Sequence, residues 1–429
     1  MNKQYYPALD ETLVSGKLSN GLTVLVVPKP SFTKKLAYFV SDFGAVHTDF
    51  TLEGQHYHVP AGIAHYLEHK IFDLPDRDVA AEFASLGAAV NAFTSYDMTA
   101  YYFSCTEHFP QCLRLLLEFV STPYFTEESV EKERGIIDQE IGMNADDPGN
   151  QVFEQLTGIM FDHPIRQPIL GSCEDIRQIT PELLHTCHRA FYSPGNMLLC
   201  VVGDVDAEEV ATIATEILGS QQRPVGEKSP FPPEAMTVRC HGAVKEMDVA
   251  MPLFNLGFKC EALGKGEEAI SQEIIGDLAA EVLFGEASAL YLNMYDQGII
   301  DSSFGGGFET IDGCALLSCG GDSYTPEAVR DAIFAQAQQI CSKGIDEAQF
   351  LRLKRSAMGR RIRDLDSFDS TCFRLCAYQM SDFDYFRFPE IYHTITPQQV
   401  QAFLSRIIRP ERCSLSIINT LKEDPYEPQ

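Results

Sequence analysis

A proline-rich stretch divides the chain into two parts of similar length. Residues 219–236 (GSQQRPVGEKSPFPPEAM) contain four prolines and little hydrophobic periodicity, which is typical of a linker. The full length of 429 residues also exceeds the usual size of one domain. We therefore predict one domain over residues 1–220 and a second over residues 237–429, joined by a linker at 221–236.

Both parts show the same order of strand-like and helix-like patterns. In the first part, strands are expected at 22–27, 36–40, 88–103 and 197–203, and helices at 61–73, 78–86, 113–120 and 127–143. In the second part, strands are expected near 248–258, 303–308 and 315–319, and helices near 266–285, 287–296, 325–342 and 346–363. Residues 345–365 hold the same ordinal place as 125–143. The recurrence predicts two α+β halves related by duplication.

The charge of the chain excludes one class of partner. Its formal net charge is -28, whereas nucleic-acid binding needs a cationic surface for the phosphates. An acidic chain is compatible with a cationic or unfolded peptide partner, although the same acidity also serves solubility alone. No nucleic acid is expected as a partner.

The cysteines and the apolar segments indicate the compartment. Thirteen cysteines are scattered without a C-x-x-C pair, and several, such as Cys200, lie in apolar runs where a free thiol packs as a small hydrophobe. No window approaches the roughly 18 apolar residues of a membrane span. The first residues, MNKQYYPALDETL, lack the apolar core of a secretory signal. We therefore expect a cytoplasmic protein without a membrane partner.

One short motif has the spacing of a metal site. His65 and His69 are four residues apart in the predicted helix at 61–73, so their imidazoles project from one face and can bind one zinc ion. Glu68 lies on the same face, within reach of a zinc-bound water whose proton it can accept. The order is His-x-x-Glu-His, the inverse of the commoner His-Glu-x-x-His. The alternative is a helix with a coincidental pair of histidines.

A third ligand has to come from another segment, because catalytic zinc usually has three protein ligands and a water. The helix at 127–143 carries Glu133 and Glu140, seven residues apart on one face. Ile136 and Ile137 provide an adjoining apolar face that can pack inward. The alternative is a solvated acidic face, since further carboxylates lie nearby. Spacing alone does not select Glu140 from its neighbours.

These segments resemble the family of pitrilysin, insulysin and the mitochondrial processing peptidases. Residues 62–72 (GIAHYLEHKIF) are similar to its zinc helix, 87–94 (GAAVNAFT) to its substrate-binding edge strand, and 131–140 (EKERGIIDQE) to the helix with the third ligand. His163-Pro164, Gly171 and the stretch 191–204 continue the resemblance to the end of the first half. The short bacterial zinc proteases of the YmfH type are the most similar members, over most of the chain.

The resemblance implies a fold and a set of site residues. Each half is expected to be a mostly antiparallel sheet with helices packed on one side, and the two halves to form half of a clamshell chamber. It implies one Zn²⁺ per chain, bound by His65, His69 and Glu140, with Glu68 as the general base and Glu133 as a supporting carboxylate. The substrate-binding positions implied are Asn91, Ala92 and Phe93.

The second half departs from the family in one stretch. Many members carry there, or in a second subunit, an Arg and a Tyr that hold the substrate carbonyl. In residues 290–301 (LYLNMYDQGIID), Tyr295 stands at the Arg position, and Ile300 or Asp301 at the Tyr position. The loss of such donors typically costs about 10²–10³ in rate. Either a partner chain supplies the pair or other residues replace it.

The resemblance favours a zinc endopeptidase that cleaves short or unfolded peptides, including leader or precursor peptides. The alternative is a non-catalytic peptide-binding or assembly subunit, and a third hypothesis is zinc-dependent hydrolysis of another bond, which the edge-strand match disfavours. Longer members build a closed chamber from four such halves. A chain of two halves is therefore expected to pair, first with a paralogous chain that lacks the zinc motif, second with itself, or to act as a monomer with an open cleft.

Overall fold

The computed structural model describes residues 1–75 and 77–421 and divides into two compact units. The first unit comprises the described residues of 1–141, 168–230 and 360–389; the second comprises 142–167, 231–359 and the described residues from Glu390 onward. Residues 142–167 thus pack with the second unit, and 360–389 with the first. The sequence-based division into domains 1–220 and 237–429, with a linker at 221–236, stays a prediction.

Seventeen strands lie in the described residues. They are β1 (Asn2–Tyr6), β2 (Glu11–Lys17), β3 (Thr23–Pro28), β4 (Lys35–Ser41), β5 (Asp49–Leu52), β6 (Gln55–His58), β7 (Asp73–Leu74), β8 (Arg77–Asp78), β9 (Ala89–Thr94), β10 (Thr99–Cys105), β11 (Met197–Gly203), β12 (Glu227–Lys228), β13 (Gly242–Met247), β14 (Leu253–Cys260), β15 (Gly305–Ile311), β16 (Cys314–Asp322) and β17 (Cys413–Thr420). The sequence patterns did not reveal nine of these strands, namely β1, β2, β5, β6, β7, β8, β12, β13 and β17.

Fifteen α-helices are present in the same residues. They are α1 (Ile63–Ile71), α2 (Val79–Ser85), α3 (Phe109–Val120), α4 (Glu127–Ala145), α5 (Pro148–Met160), α6 (Cys173–Ile176), α7 (Pro181–Phe191), α8 (Ala207–Leu218), α9 (Glu267–Phe284), α10 (Ala289–Asp296), α11 (Pro326–Lys343), α12 (Glu347–Arg363), α13 (Phe368–Met380), α14 (Phe388–Thr394) and α15 (Pro397–Ile407). All eight helices expected from the sequence are confirmed, with ends shifted by at most four residues. Within the described residues, no helix has the length and apolar character needed to cross a membrane.

The two main sheets have the same topology. In the first unit, five strands follow the order β3-β11-β4-β10-β9, and β1 and β2 extend the sheet beyond β3. In the second unit, the order is β13-β17-β14-β16-β15. In each five-strand set, the strand that comes first in the chain pairs in parallel with the strand that comes last. All other pairs in the two sets are antiparallel. The α+β class with mostly antiparallel sheets is confirmed, and the shared order supports the predicted duplication.

The central strands β4 and β11 of the first unit's sheet are buried on both faces. Phe39 of β4 and Val201 of β11 face a core shared with α1, α3 and α8. On the opposite face, α13 packs on β4 and β11, and the Cys372 thiol approaches the Cys200 carbonyl oxygen at 4.0 Å. Strands β4 and β11 are apolar on both faces because helices cover both faces. The helix on the second face, α13, comes from the second half of the sequence.

The second unit shows the reciprocal arrangement. Helices α9 and α15 pack on one face of its sheet, where Phe308 of β15 contacts Phe403 of α15 with ring centroids 5.6 Å apart. Helix α5, from the first half of the sequence, packs on β14 and β17. A methyl group at Gly257 would lie 2.6 Å from the Met160 sulfur, so the glycine permits this close approach. Each sheet is therefore completed by a helix from the other half of the sequence.

The prediction of a single strand over residues 88–103 is wrong, because this segment forms a hairpin of two strands. Strands β9 and β10 pair from Ala89–Ser104 to Thr94–Thr99. Between them the Ser95 hydroxyl accepts from the Met98 amide at 3.1 Å and donates to Asp97 at 2.8 Å. These short polar side chains stabilise a turn. The period-2 alternation continues on both sides of the turn, so the pattern concealed it.

The proline-rich segment makes specific contacts. In the first unit, β12 pairs with β5, and Lys228 forms an ion pair with Asp42 at 2.5 Å. In the second unit, the buried Lys259 ammonium contacts Glu234 at 3.1 Å and the Ala235 carbonyl at 2.9 Å. A buried ammonium is stabilised only when its hydrogen-bond donors are satisfied. These contacts fix residues 227–228 within the first unit and residues 234–235 within the second.

Two glycines set the start of α1. Gly62 precedes the helix with φ 82°, and a methyl group there would lie 2.3 Å from the Leu170 carbonyl oxygen. Gly171 has φ 70°, and a methyl group there would lie 2.6 Å from the Ala61 carbonyl oxygen. Both backbone segments therefore approach each other at a distance that only glycine allows.

This contact predicts a specific sensitivity to substitution. Gly62→Ala should lower the thermal unfolding midpoint by roughly twice as much as Gly87→Ala, or more. Gly87 has φ 69° and open space around it, so its alanine variant reports the left-handed conformation alone, about 1–2 kcal/mol. Calorimetry or circular dichroism measures both midpoints. Equal decreases in the two variants would show that the close approach to Leu170 contributes nothing.

Candidate functional site

Helix α1 places the motif histidines side by side. His65 is buried and His69 half-buried, and their ring centroids are 4.6 Å apart. Glu68, between them in sequence, is also buried. The predicted helix therefore directs these three side chains as its i, i+3 and i+4 spacing requires.

Helix α4 brings one carboxylate to both histidines. Glu140 Oε1 lies 3.6 Å from His65 Nε2, and Glu140 Oε2 lies 3.6 Å from His69 Nε2. One ligand atom from each of the three residues lies within 4.8 Å of the other two. The two separations of 3.6 Å are close to the roughly 3.3 Å between two ligands about 2.0–2.1 Å from a tetrahedral zinc ion. Two imidazoles and a carboxylate are a donor set that fits such an ion.

The electrostatics of Glu140 agree with its position. The neighbouring His65 imidazole lowers the pKa of the Glu140 carboxyl group, and burial partly opposes the effect. The carboxylate is therefore held in its ionised form, which is the form that binds metals. On the apolar side of α4, Ile137 is buried as expected, whereas Ile136 is 47% exposed.

Glu133 lies behind His69. Its Oε1 is 3.0 Å from His69 Nδ1, on the opposite side of the ring from Glu140. Burial disfavours the charged imidazole, but the hydrogen bond to Glu133 and the neighbouring carboxylates prevail and raise the pKa of His69. A carboxylate on the second ring nitrogen fixes the tautomer and the ring orientation of a metal-binding histidine. Glu133 thus has the geometry of a positioning residue.

Glu68 is held by a residue that the sequence did not single out for this role. The Thr94 hydroxyl donates to Glu68 Oε2 at 2.5 Å. Burial raises the pKa of Glu68, and the hydrogen bond from Thr94 opposes the increase. Thr94 lies within the stretch similar to the family's edge strand, but no spacing rule relates it to a residue 26 positions earlier. Thr94 and Glu68 come together only because β9 packs against α1.

Backbone contacts set the relative position of α1 and α4. The buried Tyr66 hydroxyl, on α1, donates to the carbonyl oxygen of Val130 on α4. Val130 and Ile137 are the buried residues of α4 and belong to the same core as Leu67. Lys70, fully buried at the end of α1, forms an ion pair with Asp73. The Tyr66 hydrogen bond and the shared core hold Glu140 opposite the histidines, while the Lys70–Asp73 pair fixes the end of α1.

The predicted substrate-binding residues lie on an edge strand. Asn91, Ala92 and Phe93 belong to β9, which ends the seven-stranded sheet. The Ala92 amide donates to the Asn91 side-chain oxygen at 2.9 Å. This amide therefore points away from β10, and the alternation of a strand directs the backbone groups of Val90 and Thr94 to the same open edge. The edge is next to the histidine cluster because Thr94 contacts Glu68.

The stretch that departs from the family lies in the second unit. Tyr295 is half exposed on α10 and stacks on Tyr291, with ring centroids 5.8 Å apart. Ile300 is buried, and Asp301 accepts a hydrogen bond from the Ser303 amide at 2.8 Å. The hydrogen bonds with Ser303 lower the pKa of Asp301. These residues thus have structural contacts of their own.

Two family profiles match the chain. The profile described as insulinase (peptidase family M16) matches residues 54–172, and the profile described as the peptidase M16 inactive domain matches residues 178–357. The first range contains the histidine motif and Glu140. The second contains no His-x-x-Glu-His sequence.

Curated relatives match over different lengths. An uncharacterised zinc protease, YmfH, of Bacillus subtilis is 35% identical over 421 residues, which is 96% of this chain and 97% of the relative. An uncharacterised zinc protease of Rickettsia felis is 29% identical over 231 residues, which is 52% of this chain and 54% of the relative.

Solved structures show the same fold. A protein from Alicyclobacillus acidocaldarius, described as M16-like peptidase, has a TM-score of 0.92 and 32% identity, covering 96% of this chain and 99% of its own. The first half of the periplasmic protease PqqL of Escherichia coli has a TM-score of 0.75 and 17% identity, covering 97% and 93%. In the longer PqqL structure, with a TM-score of 0.73, the match covers 98% of this chain and 48% of that chain.

The cluster predicts how metal binding depends on two carboxylates. Purified protein should contain one divalent ion per chain, and Glu140→Gln should lose most of it, because a neutral amide is a weaker ligand than a carboxylate. Glu133→Gln should weaken binding by about 10- to 100-fold through the orientation of His69. Elemental analysis and chelator competition measure both effects. The exposed Glu128→Gln, on the same helix, is the matched control; equal metal content in Glu140→Gln and Glu128→Gln would contradict the assignment.

Proposed function

The chain belongs to the insulinase family of M16 peptidases, and from this premise we propose that it is a zinc-dependent endopeptidase of short or unfolded peptides. The observation that carries the proposal is the convergence of His65, His69 and Glu140 beside the buried Glu68 and an open strand edge. Relatives over the whole chain and over half of it are named zinc proteases. Leader or precursor peptides are substrates of the required kind.

Zinc is the proposed metal, one ion per chain, with His65, His69 and Glu140 as its ligands. Two neutral imidazoles and one carboxylate are common ligands of catalytic zinc, and they leave a coordination position open. When bound, the ion polarises a peptide carbonyl and makes a water molecule more acidic. Glu133 keeps His69 in the orientation that directs Nε2 at the ion.

Glu68 is the proposed general base. It accepts the proton of the attacking water and passes it to the leaving amine, which needs a carboxylate with a pKa nearer to neutral than usual. Burial raises the pKa of Glu68 in this direction. The Thr94 hydroxyl binds Oε2, and no hydrogen bond to Oε1 is found within residues 1–75 and 77–421. One oxygen is thus oriented while the other is available for the proton.

Strand β9 is the proposed substrate-binding edge. An extended peptide can pair with the outward backbone groups of Val90, Ala92 and Thr94, once the Asn91 side chain releases the Ala92 amide. Such main-chain pairing accepts any unfolded sequence, whereas a folded protein offers no free strand. Because Thr94 also binds Glu68, the paired peptide would lie directly beside the general base.

The second candidate function is a non-catalytic peptide-binding or assembly subunit. It is favoured by the match of the second half to a domain described as inactive, and by the absence of the motif there. The first half contains both histidines, Glu68 and Glu140, and the ligand atoms of His65, His69 and Glu140 lie within 4.8 Å of one another. We therefore favour the active enzyme. For the compartment we propose the cytoplasm, since Cys187 and Cys200 pack in apolar surroundings, as thiols do under reducing conditions.

Replacing the general base should separate metal binding from turnover. Glu68→Gln should retain zinc and lose about 10²-fold or more of the peptide-cleavage rate, because the amide cannot accept a proton. The test is elemental analysis together with cleavage of an unfolded fluorogenic peptide. Thr94→Val should lower the rate by a smaller factor, and Thr94→Ser should restore it. Cleavage by Glu68→Gln at the rate of the Glu128→Gln control would exclude Glu68 as the base.

Pairing with a second chain is part of the proposal. The fold of this chain is found as part of the longer PqqL protease, of which it matches 48%. Since Tyr295, Ile300 and Asp301 replace the expected Arg and Tyr, we favour a paralogous partner that lacks the zinc motif and supplies that pair. A homodimer is the second choice. Such an assembly would enclose the site in an acidic chamber that admits unfolded segments.

The partner hypothesis predicts that activity depends on association. Peptide cleavage should increase by about 10²-fold or more when a paralogue carrying the Arg and Tyr is co-expressed, because these donors stabilise the oxyanion. Cleavage assays and the mass in solution are measured with and without the paralogue. Full activity as a monomer, unchanged by the paralogue, would rule the hypothesis out and leave the zinc assignment intact.

A further inference from the structure

The hairpin of β5 and β6, in the first unit, carries two histidines and an aspartate on one face. Its two strands pair in the register Asp49–His58 and Thr51–His56. Side chains directly opposite each other in a sheet lie on one face, and so do residues two apart in one strand. Asp49, His56 and His58 therefore share a face, and their side chains are 43%, 61% and 72% exposed. The proposed peptidase chemistry gives these three residues no role.

The Asp49 carboxylate is close to both imidazoles. Its Oδ1 lies 3.0 Å from His58 Nδ1 and 3.8 Å from His56 Nε2. The first distance is that of a hydrogen bond and the second is longer. On the other carboxylate oxygen, Oδ2, the Thr48 hydroxyl donates at 3.3 Å and orients the group. One carboxylate oxygen is thus a near neighbour of two possible nitrogen ligands.

The opposite face of the hairpin fixes its backbone. Phe50 is fully buried and stacks on Tyr57, its partner across the strands, with ring centroids 5.4 Å apart. The same Phe50 ring meets the edge of Phe191 with centroids 4.8 Å apart. The turn consists of Glu53 with φ 51° and Gly54 with φ 81°, as in the two-residue type I′ turn that sets the register of a hairpin. Packing and turn therefore fix the positions of the three polar residues on the exposed face.

The spacing of the two hairpin histidines suits one metal ion. Residues two apart on a strand are separated by roughly 6.7 Å along its axis, and residues four apart on a helix by about 6 Å. His56 and His58 thus have nearly the axial separation of His65 and His69. Both hairpin rings are exposed, so rotation about their side-chain torsions can direct one nitrogen of each at an ion beside Asp49.

We propose that this face of the hairpin binds one divalent transition-metal ion, with Asp49, His56 and His58 as its protein ligands. Imidazole nitrogens suit Zn²⁺, Ni²⁺ and Cu²⁺, whereas Mg²⁺ and Ca²⁺ are held mainly by oxygen ligands. Water completes the coordination, because the face is open to solvent. Glu227 of β12 is opposite Thr51 in the sheet and adds a second carboxylate to the same face. The site is additional to the one proposed for catalysis.

Calorimetric titration with Zn²⁺ tests the proposal on the full chain, purified with its tightly bound ion and freed of excess metal. A further ion should bind with a Kd of about 10 µM or below, and Mg²⁺ should show no saturable binding in this range. His56→Gln, His58→Gln and Asp49→Asn should each weaken the binding of this ion by about tenfold or more, because each removes one of three ligands. His393→Gln is the matched control, since His393 is an exposed histidine on α14.

Three outcomes would overturn the proposal. They are the absence of a further ion, an equal affinity for Mg²⁺, or the same Kd in His56→Gln, His58→Gln and His393→Gln at unchanged thermal stability. Binding should persist in Glu140→Gln, and its loss there would place the further ion at the histidine cluster on α1 instead. Peptide cleavage is not needed for any of these measurements, so the result is independent of the proposed peptidase function.

Discussion

The position of α4 on α1 is the contact on which the candidate site depends. A nine-residue helix can present His65, Glu68 and His69, but it cannot supply the third ligand or orient the rings. The Tyr66–Val130 hydrogen bond and the burial of Ile137 hold α4 so that Glu133 and Glu140 lie on opposite sides of the His69 ring. A shift of one residue along α4 would rotate both carboxylates by about 100°. The packing of these two helices therefore determines the distances between the carboxylates and the histidine rings.

Burial gives the same residues their chemical character. Removing a carboxylate from water raises its pKa, whereas a nearby imidazole lowers it. Glu68 follows the first effect and Glu140 the second, although the two residues lie in one cluster. One is suited to accept a proton and the other to bind a cation. The difference arises because burial prevails over the hydrogen bond from Thr94 at Glu68, whereas the neighbouring His65 prevails over burial at Glu140.

The repeated topology explains why the two halves of the sequence fold together. Each five-strand set has an apolar face that its own half does not cover, and α5 and α13 cover these faces reciprocally. A sheet with one uncovered apolar face would be unstable in water. Only the first half carries the histidine motif, so the second provides structure without repeating the chemistry.

Sequence alone determined the features that depend on local spacing. The helices at 63–71 and 127–145, and the common face of His65 and His69, follow from an i, i+4 periodicity that any helix enforces. The family resemblance, but not the spacing, selected Glu140 from the acids of α4. The turn that splits residues 88–103 is a local feature that the period-2 alternation concealed. Tertiary structure decided what lies between distant segments: the Thr94–Glu68 hydrogen bond, the place of Glu140 beside both histidines, and the exchange of α5 and α13. The physical reason is that periodicity reports only which side of an element is apolar, whereas the partner of each side is set by packing between residues far apart in the chain.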